Sequence, residues 1–268
     1  MTTYLYHPIT FYLITVGSVF LLSPLLAYCN KGKSGEKYLL PLLFLGLSLP
    51  AITALTMIFG SQNEGLIQDF WERLFLFNIA PGYLLLILFL MPLIVIIATA
   101  LSLLFGYSRE QFLLANDFSV KKGWAIVGVI LPIVIAPLIE EIGWRGYGVD
   151  SLRAYFSLFT TTMLFGALWA LWHLPTFFVQ GFYQNQLWHR GIVYVINFFV
   201  SVFVVSIIMN WVFYKTGRSI PALILFHSVL NFSSILLRTE QFTKCLVTLL
   251  FAVVSLIVII CDSQFFFS

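Results

Sequence analysis

The chain has 268 residues, of which 60% are hydrophobic and 9% charged, and its mean hydropathy is +0.99. A water-soluble domain carries about a quarter charged residues, so this chain cannot clothe itself in polar surface and must use lipid as its solvent. A net charge of +3, scattered among loops, argues against a nucleic-acid partner.

A bilayer asks for apolar stretches of roughly 20 residues. Hydropathy with turn and charge punctuation predicts eight, near residues 8–28, 38–60, 82–106, 123–143, 156–175, 191–214, 220–237 and 243–262. The first lacks a basic leader and a small-residue cleavage site, so it reads as a retained span. Between the second and third lies EGLIQDFWERLFLFN (64–78). Here Leu66, Ile67, Phe70, Trp71, Leu74 and Phe75 recur at helical spacing, and Glu64, Gln68, Asp69, Glu72 and Arg73 fill the other face. That pattern predicts a helix lying in the membrane interface, and the polar insert 107–123 is expected to behave similarly. Cys29, Cys245 and Cys261 have no metal-ligand or redox spacing and read as small apolar fillers.

Eight spans put both termini on one side of the membrane. The loops after spans 1, 3, 5 and 7 hold nine basic residues (Lys31, Lys33, Lys37, Arg109, Lys121, Lys122, Arg190, Arg238, Lys244). The other loops hold five (Arg73, Arg145, Arg153, Lys215, Arg218), so the positive-inside rule leans toward termini outside. There is no internal repeat and no long linker. The chain reads as one transmembrane domain, 1–268: an all-α polytopic membrane protein of about eight transmembrane helices, with one or two interfacial amphipathic helices, around an intramembrane polar cavity.

The polar residues inside the spans carry the chemistry. In the fourth, Glu140 and Glu141 follow an apolar run and precede Arg145. Ionised groups in hydrocarbon need a partner or a wet cavity. Glu141 and Arg145 stand at i,i+4 with the acid first, the favourable order for a helical ion pair, while Glu140 points about 100° away. The bland reading is a pair of end-of-helix charges at headgroup level. Pro132 and Pro137 argue instead for a bent, partly hydrated segment, since each frees a backbone carbonyl.

The fifth span ends at His173, just before Pro175 closes it; an interfacial or packing histidine is the plain alternative there. The seventh is capped by Ser219, with Pro221 early in the helix. It carries His227 and Asn231 on one face of an apolar run, where unpaired polar groups are penalised. At about 1.5 Å rise per residue, Glu140, His173 and His227 fall within roughly 10 Å of a common depth. The other histidines, His7 and His189, fall at a helix entrance and in a loop.

A carboxylate, two imidazoles and a carboxamide suit hydrolysis of a peptide bond by activated water. No Ser or Cys stands beside a His as a nucleophile. Glu140, His173 and His227 also form a plausible His₂Glu zinc set, although Asn231 is a better oxyanion donor than zinc ligand. A transporter or proton relay uses the same residue types but tends to show two related halves, and a non-catalytic binding protein is a further alternative.

Three motifs sharpen the choice. EEIGWR (140–145) resembles the EExxxR motif of the CAAX prenyl endopeptidase and bacteriocin-processing (Abi) family. WALWH (169–173) resembles its second motif, with Trp169 where Phe is commoner, and HSVLN (227–231) resembles its third, HxxxN. All three follow the family's order on separate predicted spans, within a motif-bearing region of about 123–237. Length and span count look most like archaeal homologues of the type II, Ras-converting members.

The resemblance implies a glutamate-dependent intramembrane protease in which Glu140 is the general base and His173 helps activate the water. His227 and Asn231 would form the oxyanion hole, with Glu141 and Arg145 supporting the site. It implies no cofactor, with zinc the alternative. Substrates would be proteins ending in a prenylated Cys and three further residues, which are released. The chain would be an integral multi-pass protein of a prokaryotic cell membrane, or of the endoplasmic reticulum in a eukaryote.

Overall fold

In hydrocarbon every backbone N–H and C=O must find a partner within the protein, which leaves helices or closed barrels. The computed structural model describes residues 4–31, 35–119 and 124–268, and these form helices; their one strand-like pairing is an isolated bridge between Leu114 and Leu237. In chain order come α1 (Pro8–Lys31), α2 (Glu36–Gly60), α3 (Glu64–Leu74), α4 (Pro81–Ser102) and the single turn α5 (Asn116–Ser119). Then follow α6 (Trp124–Gly143), α7 (Val149–Arg153), α8 (Leu158–His173), α9 (Tyr183–Arg190), α10 (Ile192–Lys215), α11 (Ile220–Leu236), α12 (Gln241–Cys261) and α13 (Ser263–Phe267). α6 packs between α2 and α11, α4 lies against α11 and α12, and α10 lies against α8 and α12.

Among the described residues, six helical stretches are long and apolar enough to cross a bilayer. The other two expected spans depart from the simple pattern. The fifth is broken: Leu158–Phe178 meets Tyr183–Arg190 at a 78° bend. Pro175 removes a donor there, and Gly181 takes the left-handed φ of +87° that turns the chain. The seventh, α11, has 17 residues, about 25 Å at 1.5 Å per residue, against a hydrocarbon core of about 30 Å. The all-α polytopic fold therefore stands, with eight an approximate number. The two helices that fall short are those that carry His173, His227 and Asn231.

The α3 expectation needs one correction. Asn63 caps the helix by accepting from Leu66 N at 3.0 Å, and Leu66 and Phe70 are buried as their spacing predicts. Arg73, assigned above to the polar face, is only 3% exposed. After Gly143 the helix widens into a π turn, Trp144–Gly148, which shifts carbonyls off the regular ladder. Arg73 donates to two of them, Arg145 O at 2.7 Å and Gly146 O at 3.1 Å. The helix is thus pinned to the protein as well as amphipathic.

The insert 107–123 is also different. Its described part holds a 3-10 turn, Arg109–Phe112, and α5, with no amphipathic helix. It is anchored by buried Gln111, which donates to Ser102 Oγ at 3.0 Å and accepts from Thr243 Oγ1 at 2.6 Å and Glu240 N at 2.8 Å. Arg73 and Arg145, two of the five basic residues on the sparser side, are buried and do not mark a membrane face. Lys33, Lys121 and Lys122 lie outside the described residues. The three cysteines are free, and Cys29 alone of them is buried.

α6 reaches α2 through Gly143. A Cβ built there would lie 2.6 Å from Ala51 N and against the backbone of Pro50, and backbone cannot move aside as a side chain does. Gly143→Ala is expected to destabilise the protein by about 1–3 kcal/mol through overpacking. Thermal unfolding in detergent measures this, and an unchanged midpoint would show that α2 and α6 can separate to admit a methyl group at little cost.

Candidate active site

Glu141 and Arg145 are both fully buried. Their i,i+4 spacing brings Arg145 Nη1 to 2.7 Å from Glu141 Oε2. The guanidinium also donates to Asn210 Oδ1 at 3.2 Å and lies over the Phe165 ring, 4.8 Å from its centroid. Asn210 in turn donates to Thr162 Oγ1 at 3.1 Å. The pair therefore sits in the protein interior, tied to α8 and α10, and not at a headgroup surface.

The second oxygen of Glu141 faces α11, where it lies 2.8 Å from His227 Nδ1. A carboxylate only accepts, so the imidazole donates from Nδ1 and turns Nε2 outward. His173 is held by the same logic: its Nδ1 lies 2.7 Å from the Trp169 carbonyl oxygen, one turn earlier on α8, so Nδ1 is again the donor. Its Nε2 is left as the acceptor of the neutral ring.

Glu140 leaves the other side of α6, as a 100° step requires, and is 6% exposed. Its Oε2 accepts from Trp169 Nε1 at 3.3 Å. Trp169 is therefore the hub. Its indole holds Glu140, its carbonyl orients His173, and its ring meets that of His173 (centroids 5.6 Å) and that of His227 edge-on (5.6 Å).

A cavity of about 420 Å³ opens between α4, α8, α10, α11 and α12. Trp169, His173, His227 and Asn231 line it, among walls that are largely apolar. The carboxamide of Asn231 has no hydrogen-bond partner among the described residues, so it is available to a ligand in the cavity. Glu140 does not line the cavity itself and stands behind Trp169. Among the described residues, no three His, Cys, Asp or Glu side chains are arranged as a metal-binding group.

Beside the π turn lies a second charged cluster whose members are scattered through the sequence. Arg73 pairs with Asp69 (2.8 Å) and Asp150 (3.1 Å), and Arg218 pairs with the same two carboxylates at 2.8 and 2.6 Å. Tyr214 donates to Asp150 at 2.8 Å. Burial alone would lower the Arg218 pKa, but Asp150 and Asp69 more than offset it and hold it above its ordinary value. The cluster clamps α3, α7 and the α10–α11 turn around the base of the segment that presents Glu140 and Glu141. Asn210 was equally unassigned, yet it carried a readable signal, a carboxamide inside an apolar run. Asp69, Arg73 and Arg218 carried none, because each sits in a polar stretch.

Fold and site together describe an integral multi-pass membrane protein in which two imidazoles and a carboxamide line one cavity and two buried carboxylates stand behind them. Residues 122–233 match the family Type II CAAX prenyl endopeptidase Rce1-like. Over its full length the chain is 33% identical to the CAAX prenyl protease 2 of Methanococcus maripaludis, covering 98% of that protein. The chain belongs to the type II CAAX prenyl endopeptidase family and is an intramembrane peptide hydrolase.

Proposed function

We propose that the protein releases the C-terminal residues of prenylated proteins by attack of a water molecule that Glu140 deprotonates, without a metal ion. The observation that carries this reading is the Trp169 hub, which gathers Glu140, His173 and His227 around one indole beside the cavity. Glu140 takes a proton from water as its oxygen adds to the scissile carbonyl carbon, and later returns that proton to the leaving amine. His173 Nε2 accepts from the same water and aims it. The tetrahedral oxyanion receives hydrogen bonds from the Asn231 amide and from His227.

His227 donates from Nε2 only as imidazolium, because its Nδ1 proton already goes to Glu141. In that form both ring nitrogens donate, Nδ1 to Glu141 and Nε2 to the oxyanion. Glu141 thus serves the oxyanion site through His227 while it neutralises Arg145.

The test is cleavage of a farnesylated peptide by the purified protein, before and after exhaustive chelation and dialysis. Unchanged turnover in chelated enzyme is expected. Turnover lost on chelation and restored by zinc would replace this mechanism with a metalloprotease built on Glu140, His173 and His227. A protein that cuts no prenylated peptide at all would overturn the proposed activity.

A further inference from the structure

Lys244 is the one Lys or Arg among the described residues that line the cavity. It sits in the first turn of α12, half-buried, with Nζ 4.5 Å from the centre of the Tyr183 ring. Tyr183 is itself held in place, its hydroxyl donating to Gln241 at 3.1 Å. Among the described residues no carboxylate pairs with this ammonium. Glu240 stands one turn earlier at the favourable i,i+4 position, yet it is exposed and makes no ion pair with Lys244. Arg190 of α9 adds a second positive charge nearby. A cation kept in an apolar wall without a counter-ion is costly, which is reason to ask what anion it meets.

Geometry indicates which. α11 ends at Leu236 and α12 begins at Gln241, and Lys244 in the first turn of α12 lines the cavity together with Ser234, Ile235 and Thr239 from the end of α11 and the connection. From His227 to Ser234 is two helical turns, about 10 Å at 1.5 Å per residue. Three extended residues reach about 10 Å at 3.3–3.6 Å each. A scissile carbonyl held at His227 and Asn231 would therefore carry its third following residue to the end of α11, where Lys244 also lines the cavity.

We infer that Lys244 binds the free C-terminal carboxylate of the substrate, so that the cavity measures the length of the released peptide from that charge. The inference rests on the proposed protease reading. Tyr183 backs the ammonium through a cation–π contact, and the charge-assisted bond to the carboxylate forms away from bulk water.

The experiment compares a farnesylated peptide that ends in a free carboxylate with its C-terminal amide, on the wild type, Lys244→Met, Lys244→Gln and Lys244→Arg. The wild type is expected to favour the acid by roughly 10- to 100-fold in kcat/KM, the scale of one hydrogen bond to a charged group, and to do so mainly through KM. Lys244→Met and Lys244→Gln should cleave both peptides at the wild-type rate for the amide, with the preference gone, while Lys244→Arg keeps part of it.

A wild type indifferent to the terminal charge, or a Met or Gln variant that still prefers the acid, overturns the inference and leaves the protease intact. A wild type that cuts neither peptide removes the protease reading and this inference with it. Loss of folding in one neutral variant leaves the other, and the wild-type comparison, to decide.

Discussion

Glu140→Gln is expected to lower kcat for a farnesylated peptide by about 10³-fold, within the 10²- to 10⁴-fold range of a positioned general base, or about 4 kcal/mol of transition-state stabilisation. The substitution keeps the shape of the side chain and leaves an amide oxygen to accept from Trp169 Nε1, now 3.3 Å from Glu140 Oε2. Folding should therefore be preserved, and so should KM, since the cavity lining is untouched. Steady-state kinetics alongside thermal unfolding in detergent separates the two effects. A variant within tenfold of wild-type kcat would remove Glu140 as the base and turn attention to His173.

Glu141→Ala should fail in a different way. It strips the fully buried Arg145 of the carboxylate 2.7 Å away and His227 of its Nδ1 acceptor at 2.8 Å. Removing one partner of a buried ion pair typically costs about 3–5 kcal/mol, because the other charge is left uncompensated. A large fall in the detergent unfolding midpoint is expected, together with loss of activity. Removing both charges in Glu141→Ala/Arg145→Met should recover much of the stability, since an apolar replacement of a whole pair is often neutral, but not the activity, because His227 would still lack its anchor. A single variant as stable as wild type would mean that Arg145 is neutralised by other groups.

These two glutamates differ because adjacent helical residues point about 100° apart. That much was readable from the motif EEIGWR, and so was the i,i+4 pairing of Glu141 with Arg145. The spacing could not say what Glu140 would meet. The answer, the indole of Trp169, depends on how α8 packs against α6. Trp169 had been read only as the aromatic member of a motif, while the structure gives it both a hydrogen bond to Glu140 and a carbonyl for His173. Arg73 was read as a solvated face residue because helical periodicity registers polarity and not insertion. The Arg145 and Gly146 carbonyls of the π turn, together with the carboxylates of Asp69 and Asp150, explain why a guanidinium is buried there. The insert 107–123 departs from the expected amphipathic helix for a similar reason, since Gln111 finds two of its partners in Glu240 and Thr243, far away in sequence.

The sequence by itself determined that this chain lives in lipid, that it is helical, and that six polar residues stand in apolar runs where hydrocarbon penalises them. Those conclusions follow from composition and local spacing, which no packing arrangement can alter. Tertiary structure decided which of the residues face one another. It set Glu141 between Arg145 and His227, put Glu140 behind Trp169, and left the Asn231 amide facing an apolar cavity that Lys244 also lines. The physical reason is that, apart from the local Glu141–Arg145 pair, each of these relations joins different helices, and helix-to-helix register is set by side-chain packing and by long-range clamps such as Arg73 and Arg218, about which the period of any single helix is silent.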